Sequence, residues 1–256
     1  MNESLYVISG ASRGMGAAIA EHLLQPGHLV LGLSRKTNAE LGTLAAQRGA
    51  QLLQWPRDLA DPLPVAEELR RWLAGFEASR FDEAVLVNNA AAITPPGPVD
   101  ECSFAELSAA LRVGLEAVLL LTAAFVGGTR GWRATHDGRT KVLNISSGLG
   151  RRAMAGCAPY CAVKAGMDHF SRSMALDEAH RGDGARIVSL APGVIDTDMQ
   201  VQLRSADAAG FPDRGSFLQL QRSGQLSSPQ DAAARVLAYL RRPDFGATAV
   251  ADVRDA

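Results

Sequence analysis

A single α/β domain, doubly wound around a seven-stranded parallel sheet with helices on both faces, is the fold class that the 256-residue sequence predicts. Three observations predict it. Short β-branched runs alternate with longer amphipathic or apolar stretches, the βαβ rhythm of a buried parallel sheet. The first strand candidate empties directly into a glycine-rich turn and then a helix. No internal repeat, low-complexity tract or Pro/Gly/Ser-rich linker divides the chain, so residues 1–256 read as one domain.

The elements follow in order. Leu5–Ser9 is a short apolar strand stopped by Gly10, and the Ala-rich stretch Met15–Gln25 is a helix. Strand Leu29–Ser34 precedes helix Ala39–Arg48, and strand Gln51–Trp55 precedes a helix at Pro64–Glu77. Asp61 is expected as the N-cap of that helix, ahead of Pro62. Ala84–Asn88 is the next strand, and Phe104–Val126 reads as one long apolar helix. Lys141–Ser146 is the central strand, Ala158–His180 a helix, Arg186–Leu190 a strand, Pro229–Leu240 a helix and Thr248–Asp252 the last strand. Two stretches break the rhythm. Gly127–Thr140 is polar and turn-rich and reads as a surface loop. Residues 196–228 hold helical pieces interrupted by Gly210, Pro212, Gly215 and Gly224, beyond a strand's carboxyl end where open α/β sheets bind ligands. That segment is a lid candidate, the alternative being a variable excursion with no gating role.

A formal net charge of −1 and a pI near 6.5 give no general attraction to nucleic acid or anionic lipid. Cys102, Cys157 and Cys161 form no CxxC, and the five histidines show no metal-ligand spacing, so no metal is expected. The N-terminus lacks a basic-then-apolar leader, and the longest apolar run, Ala117–Val126, is half a membrane span. A soluble, unexported, cytoplasmic protein is the expectation.

The turn Gly10-Ala11-Ser12-Arg13-Gly14-Met15-Gly16 lies between the first strand and first helix. Its glycines allow close backbone approach, and the helix's free N–H groups and positive dipole end attract a pyrophosphate. This outlines a dinucleotide site on a Rossmann fold, although the spacing departs from GxGxxG and the bland reading is an ordinary βα turn. An acidic residue ending the second strand would bind a ribose diol, but here the chain reads Ser34-Arg35-Lys36. A hydroxyl and two cations suit a 2′-phosphate, with Arg35 in fork geometry and Arg13 approaching the same group, so NADPH is preferred to NADH. Asp58 and Leu59, after the third strand, fall near the adenine edge.

At the other end, Tyr160 and Lys164 sit one helical turn apart on one face. An ammonium beside a phenol lowers its pKa from about 10 toward working pH, so Tyr160 can protonate a carbonyl oxygen that receives hydride. Lys164 can also hold the nicotinamide ribose. Ser147, thirteen residues before Tyr160 at a strand end, can donate a hydrogen bond to the same carbonyl.

With Gly10, Gly14 and Gly16, then Asn88-Asn89-Ala90-Ala91, then Ser147, Tyr160 and Lys164, then Pro192-Gly193 followed by Thr197, the chain resembles the short-chain dehydrogenase/reductase family over essentially its whole length. The resemblance implies that Pro192, Gly193, Val194 and Thr197 contact the nicotinamide end and that Asn89 and Ala90 line the adenosine side. It also implies a homodimer through Phe104–Val126 and Ala158–His180. One departure bears on catalysis. Val113-Gly114-Leu115 stands where the family has Val-Asn-Leu, so the asparagine of its proton relay is Gly114, and weakened or shifted activity is expected.

The C-terminal third, from Ala191-Pro192-Gly193-Val194-Ile195-Asp196-Thr197 through Phe245 and Asp252-Val253-Arg254-Asp255, is similar to the sepiapterin reductase and benzil reductase subgroup. There a tail aspartate anchors a pterin ring, which points to Asp252 as a substrate residue; the alternative is a solvated side chain ending the last strand. Arg151 and Arg152 read as a solvated loop pair. The expected function is an NADPH-dependent carbonyl reductase acting on a ketone or vicinal dicarbonyl. The alternatives are a catalytically weakened NADP(H)-binding regulatory protein, and an alcohol dehydrogenase working oxidatively.

Overall fold

The computed structural model describes residues 3–136 and 138–255, with the backbone alone for Arg133 and His136. Seven parallel strands form one sheet: β1 (Glu3–Ser9), β2 (His28–Ser34), β3 (Gln51–Pro56), β4 (Phe81–Asn88), β5 (Thr140–Ile145), β6 (Arg186–Ala191) and β7 (Val250–Asp252). Their order is β3-β2-β1-β4-β5-β6-β7, so the succession of strands reverses between β1 and β4 while all stay parallel. The central strands are buried on both faces, which is why they read as continuous apolar runs instead of alternating ones.

The helices are α1 (Gly14–Leu23), α2 (Ala39–Arg48), α3 (Pro62–Leu73), α4 (Phe104–Leu111), α5 (Ala117–Gly128), α6 (Arg133–His136), α7 (Ala158–Ala179), α8 (Asp198–Ser205), α9 (Arg214–Arg222) and α10 (Pro229–Leu240). Local chemistry sets several of their ends. Asn38 caps α2 by accepting from the N–H groups of Glu40 and Leu41, at 2.9 and 3.2 Å, and Ser103 and Glu106 close a reciprocal capping box on α4. Asp61 stands at the expected N-cap of α3, but its side chain makes no capping bond; Pro62 at the first position sets the start. That helix also runs earlier than expected, ending at Leu73 just ahead of Gly75.

The long apolar stretch is not one uniform helix. A single π turn, Arg112–Glu116, joins α4 to α5. The combined stretch Phe104–Gly128 is long and apolar enough to cross a membrane by length and composition, yet half of its most apolar window is buried inside the fold.

Two apolar layers sandwich the sheet. One joins α1 and α10 to Ile8, Val30, Val87 and Leu143; the other joins α3 and α5 to Leu5, Leu31, Leu86 and Val142. The segment expected as a surface loop, residues 127–140, instead delivers Trp132 and Ala134 to the second layer and contains the short α6. Trp132 stacks on Phe81 with ring centroids 5.5 Å apart, in an aromatic ladder that continues through Phe76 and Trp72 to Trp55. One large side chain outweighs the polar residues around it, which periodicity cannot register.

Candidate active site

The carboxyl ends of the strands around the β1/β4 reversal carry the predicted groups. Gly10 turns out of β1 with φ +70°, and a methyl group on Gly16 would lie 2.1 Å from the Gly10 carbonyl oxygen, so this close turn excludes any side chain there. Asn89 knits the turn from β4: its amide nitrogen donates to the carbonyls of Ser9 and Gly10 at 3.1 and 3.3 Å. Its polar group thus serves the turn itself. The N–H groups of Asn89 and Ala90 both donate to Ser9 Oγ at 3.0 Å.

No side chain caps the first turn of α1, which includes Gly14, Met15 and Gly16, and no acidic residue lies in it. Its N–H groups point where an anion binds. At the end of β2, Ser34 Oγ is buried without a hydrogen-bond partner, while Arg35 and Lys36 are exposed. A bare helix N-terminus, a close glycine turn and an orphaned hydroxyl fit a dinucleotide phosphate and ribose. Ser12 lies in the same turn, and its carbonyl accepts from Asn38 at 3.1 Å. Arg13, expected beside the 2′-phosphate, forms an ion pair with Asp198 of α8, joining the glycine turn to the segment over the site. Asp58 accepts from the Ala60 N–H at 2.9 Å, and Leu59 is buried beneath it.

Ser147, just past the end of β5, caps the short turn Gly148–Gly150 by accepting from the Leu149 N–H at 3.2 Å. Tyr160 and Lys164 lie on α7, both buried, with Lys164 Nζ 5.6 Å from the tyrosine ring centroid. Burial pushes the Tyr160 phenol up to about 12, against the lowering effect of its hydrogen bond with Ser147. This corrects the expectation of a phenol brought down toward neutrality. The ammonium of Lys164 donates to the Ile145 carbonyl at 2.6 Å, and burial holds it down at about 8. Desolvation outweighs the help each group receives, from Ser147 for the phenol and from Asp168 for the ammonium.

Beyond β6 come Pro192 and Gly193, the latter with φ +85°, then Val194, whose carbonyl accepts from Ser227, and Thr197 at the start of α8. The lid candidate contributes Leu203, Phe211 and Phe217 to a small apolar cluster with Cys157, flanked by Ile93, Leu149, Met154, Cys161 and Met199. Phe211 and Phe217 stack at 5.6 Å.

Asp252 is neither solvated nor free. It is 4% exposed, and its carboxylate accepts from Arg254 Nε at 2.8 Å, Arg254 Nη2 at 2.5 Å and the Arg254 N–H at 3.0 Å. Those bonds hold its pKa below the usual carboxylate range. Arg151, expected as a solvated loop residue, reaches Asp168 at 3.3 Å, the Ala251 carbonyl at 2.8 Å and Asp252 at 3.9 Å. Asp168 and Asp198 were missed from sequence; Asp168 could have been found four residues beyond Lys164 on the same helical face.

Gly114 also acquires a physical reason. It lies in the π turn, and a methyl group on it would sit 2.5 Å from Cγ1 of Val163, between Tyr160 and Lys164 in sequence.

Known proteins resemble this chain over most of its length. Residues 5–208 match the family described as short chain dehydrogenase. The chain is 33% identical over 239 residues to benzil reductase ((S)-benzoin forming) of Bacillus subtilis (strain 168), covering 93% of each. It is 31% identical over 261 residues to sepiapterin reductase of Rattus norvegicus, covering 97% of this chain and 95% of that protein. A metagenomic short-chain oxidoreductase solved in complex with NADP superposes with a TM-score of 0.70 at 25% identity, over 98% of this chain and 95% of that one.

Proposed function

This chain belongs to the short-chain dehydrogenase family, and from that premise we propose that it is an NADPH-dependent reductase of ketones and vicinal dicarbonyls, taking a benzil-like diketone. The supporting observation is the meeting of Ser147, Tyr160 and Lys164 beside an apolar lid cluster of aromatic and sulfur-bearing residues. Bound NADPH supplies the hydride. Ser147 donates a hydrogen bond to the carbonyl oxygen and fixes its direction. Tyr160, fully protonated at neutral pH because of its burial, gives its proton to the oxygen as negative charge develops there. Lys164 holds a positive charge under the ring that the departing proton leaves negative. Phe211 and Phe217 belong to the apolar cluster that reaches Cys157 and Cys161 beside Tyr160 and keeps water from that side.

The preference for NADPH is supported by exposed Arg35 and the orphaned Ser34 hydroxyl, and by the NADP carried by a structural relative. A diketone is favoured over a pterin because a guanidine-like ring edge has to displace Arg254 from Asp252. The reading includes a homodimer, supported by exposed Phe104, Leu111, Leu119 and Leu176 on the helices expected to pair, and a cytoplasmic setting, which suits three free cysteines.

The test is the initial rate of NADPH and NADH oxidation with benzil, sepiapterin and a simple monoketone. NADPH turnover on benzil, reduced by about 10²- to 10⁴-fold in Tyr160→Phe, is expected. A preference for NADH, or undiminished turnover in the variant, refutes the reading.

A further inference from the structure

We propose that Asp168 is a positioning residue for the reduction: its buried carboxylate fastens the loop carrying Ser147 to the helix carrying Tyr160 and Lys164. The proposal deepens the reading above and rests on it. Asp168 is 1% exposed, although nothing in the reaction uses its charge directly. It continues the series Tyr160, Lys164, Asp168 along one face of α7.

Three elements converge on its two oxygens. Oδ1 accepts from Ser146 Oγ at 2.5 Å, at the end of β5, and from Ser189 Oγ at 2.7 Å, in β6. Oδ2 accepts from Arg151 Nε at 3.3 Å, in the turn after Ser147. That turn is pressed so close that a methyl group on Gly150 would lie 2.9 Å from both Asp168 Oδ2 and the Lys164 carbonyl oxygen. Arg151 carries the tie onward to the Ala251 carbonyl and Asp252 in β7.

Ser147 and Tyr160 must address one carbonyl oxygen, yet they stand on different elements. Ser146, the immediate neighbour of Ser147, is held by the same carboxylate that lies one turn beyond Lys164. A small displacement of either side separates the two donors from their common target. Asparagine at 168 keeps the size but loses the charge and turns one acceptor into a donor, facing hydroxyls and a guanidinium that all donate.

The experiment compares wild type with Asp168→Asn by the kcat and KM for NADPH with benzil, and by direct titration of Lys164. The chain has three lysines, Lys36, Lys141 and Lys164, so ε-¹³C labelling with Lys→Arg variants assigns each signal. The charged and titratable groups beside Lys164 are Tyr160 and Asp168 on its own helix; Arg151 from the turn pairs with Asp168 and leads on to Asp252 and Arg254 of the tail, and the Cys157 and Cys161 thiols lie beside Tyr160. Loss of the Asp168 charge withdraws support for the ammonium, so Lys164 titrates at lower pH in the variant.

A fall of about 10- to 100-fold in kcat, with KM for NADPH within about threefold and Lys164 shifted down, supports the proposal. A kcat within about threefold of wild type, or a loss matched by the unfolded fraction with Lys164 unmoved, overturns it. If Asp168→Asn does not fold, Ser146→Ala and Ser189→Ala remove single donors and are read by the same kcat and KM. A folded wild type that ignores benzil refutes the diketone reading alone, and the same kcat and KM comparison is then made with a simple monoketone.

Discussion

Replacing Gly114 by alanine tests whether this glycine is a fitted contact or a lost catalytic group. The new methyl would stand 2.5 Å from Val163 Cγ1, where relaxed carbon–carbon contact is about 3.5–4.0 Å, an overlap of about 1–1.5 Å. Val163 is buried, and its β-branched side chain on a helix has one strongly preferred rotamer, so rotation does not relieve the clash. The π turn or α7 must shift, at an overpacking cost of about 1–3 kcal/mol. Val163→Ala alone removes buried methyl groups, for about 1.5–3 kcal/mol. The double variant adds one methyl where two are removed and so relieves the clash, and should be more stable than the sum of the singles by about 1 kcal/mol or more. Urea unfolding of the four proteins gives the cycle directly. Additivity within about 0.5 kcal/mol would show that the contact is not a fitted one and refute the argument. The same pair predicts that Gly114→Asn alone fails to raise turnover, because it drives Val163 and its flanking Tyr160 and Lys164 off position.

Three other outcomes are expected. Arg35→Ala should raise the KM for NADPH by about 10- to 100-fold and leave that for NADH unchanged, since a charge-assisted bond contributes about 1.5–3 kcal/mol; equal effects on both cofactors would remove Arg35 from the phosphate. Trp132→Ala should cost about 3–5 kcal/mol in thermal or urea unfolding while kcat stays within about twofold, and a near-neutral substitution would contradict the aromatic ladder. Because burial sets Lys164 near 8 when folded, against its ordinary 10.5, the protonated lysine opposes folding fully below about pH 8 and ceases to as pH rises from 8 toward 10.5. Between pH 7 and 9.5 the Tm of wild type should therefore gain on that of Lys164→Met, and parallel curves would deny the shift.

Much of this fold was legible because parallel strands buried on both faces leave uninterrupted runs, and their ends are marked by glycine, serine and proline. The places of the glycine turn and of Ser147, Tyr160 and Lys164 in the fold were legible for the same reason: each stands at a strand end or a fixed helical spacing. What escaped depends on contacts distant in sequence. Trp132 looked like loop until Phe81 was found beneath it, and Arg151 looked solvated until Asp168 and Asp252 surrounded it. Arg13 finds its partner in Asp198, 185 residues away. Spacing shows the ammonium near Tyr160 and says nothing of the desolvation that raises its phenol.

The aromatic ladder also decides what intrinsic fluorescence can report. All three tryptophans of the chain, Trp55, Trp72 and Trp132, stand in or beside the same apolar layer with α3 and β4. The lid cluster around Phe211 contains no indole among the described residues. Tryptophan emission is therefore a clean readout of unfolding on that side of the sheet and largely blind to movement of residues 196–228. Following that segment by light calls for an indole placed where nature put a phenyl ring, and Phe217→Trp, at the stacked edge of the cluster, is the position the geometry offers.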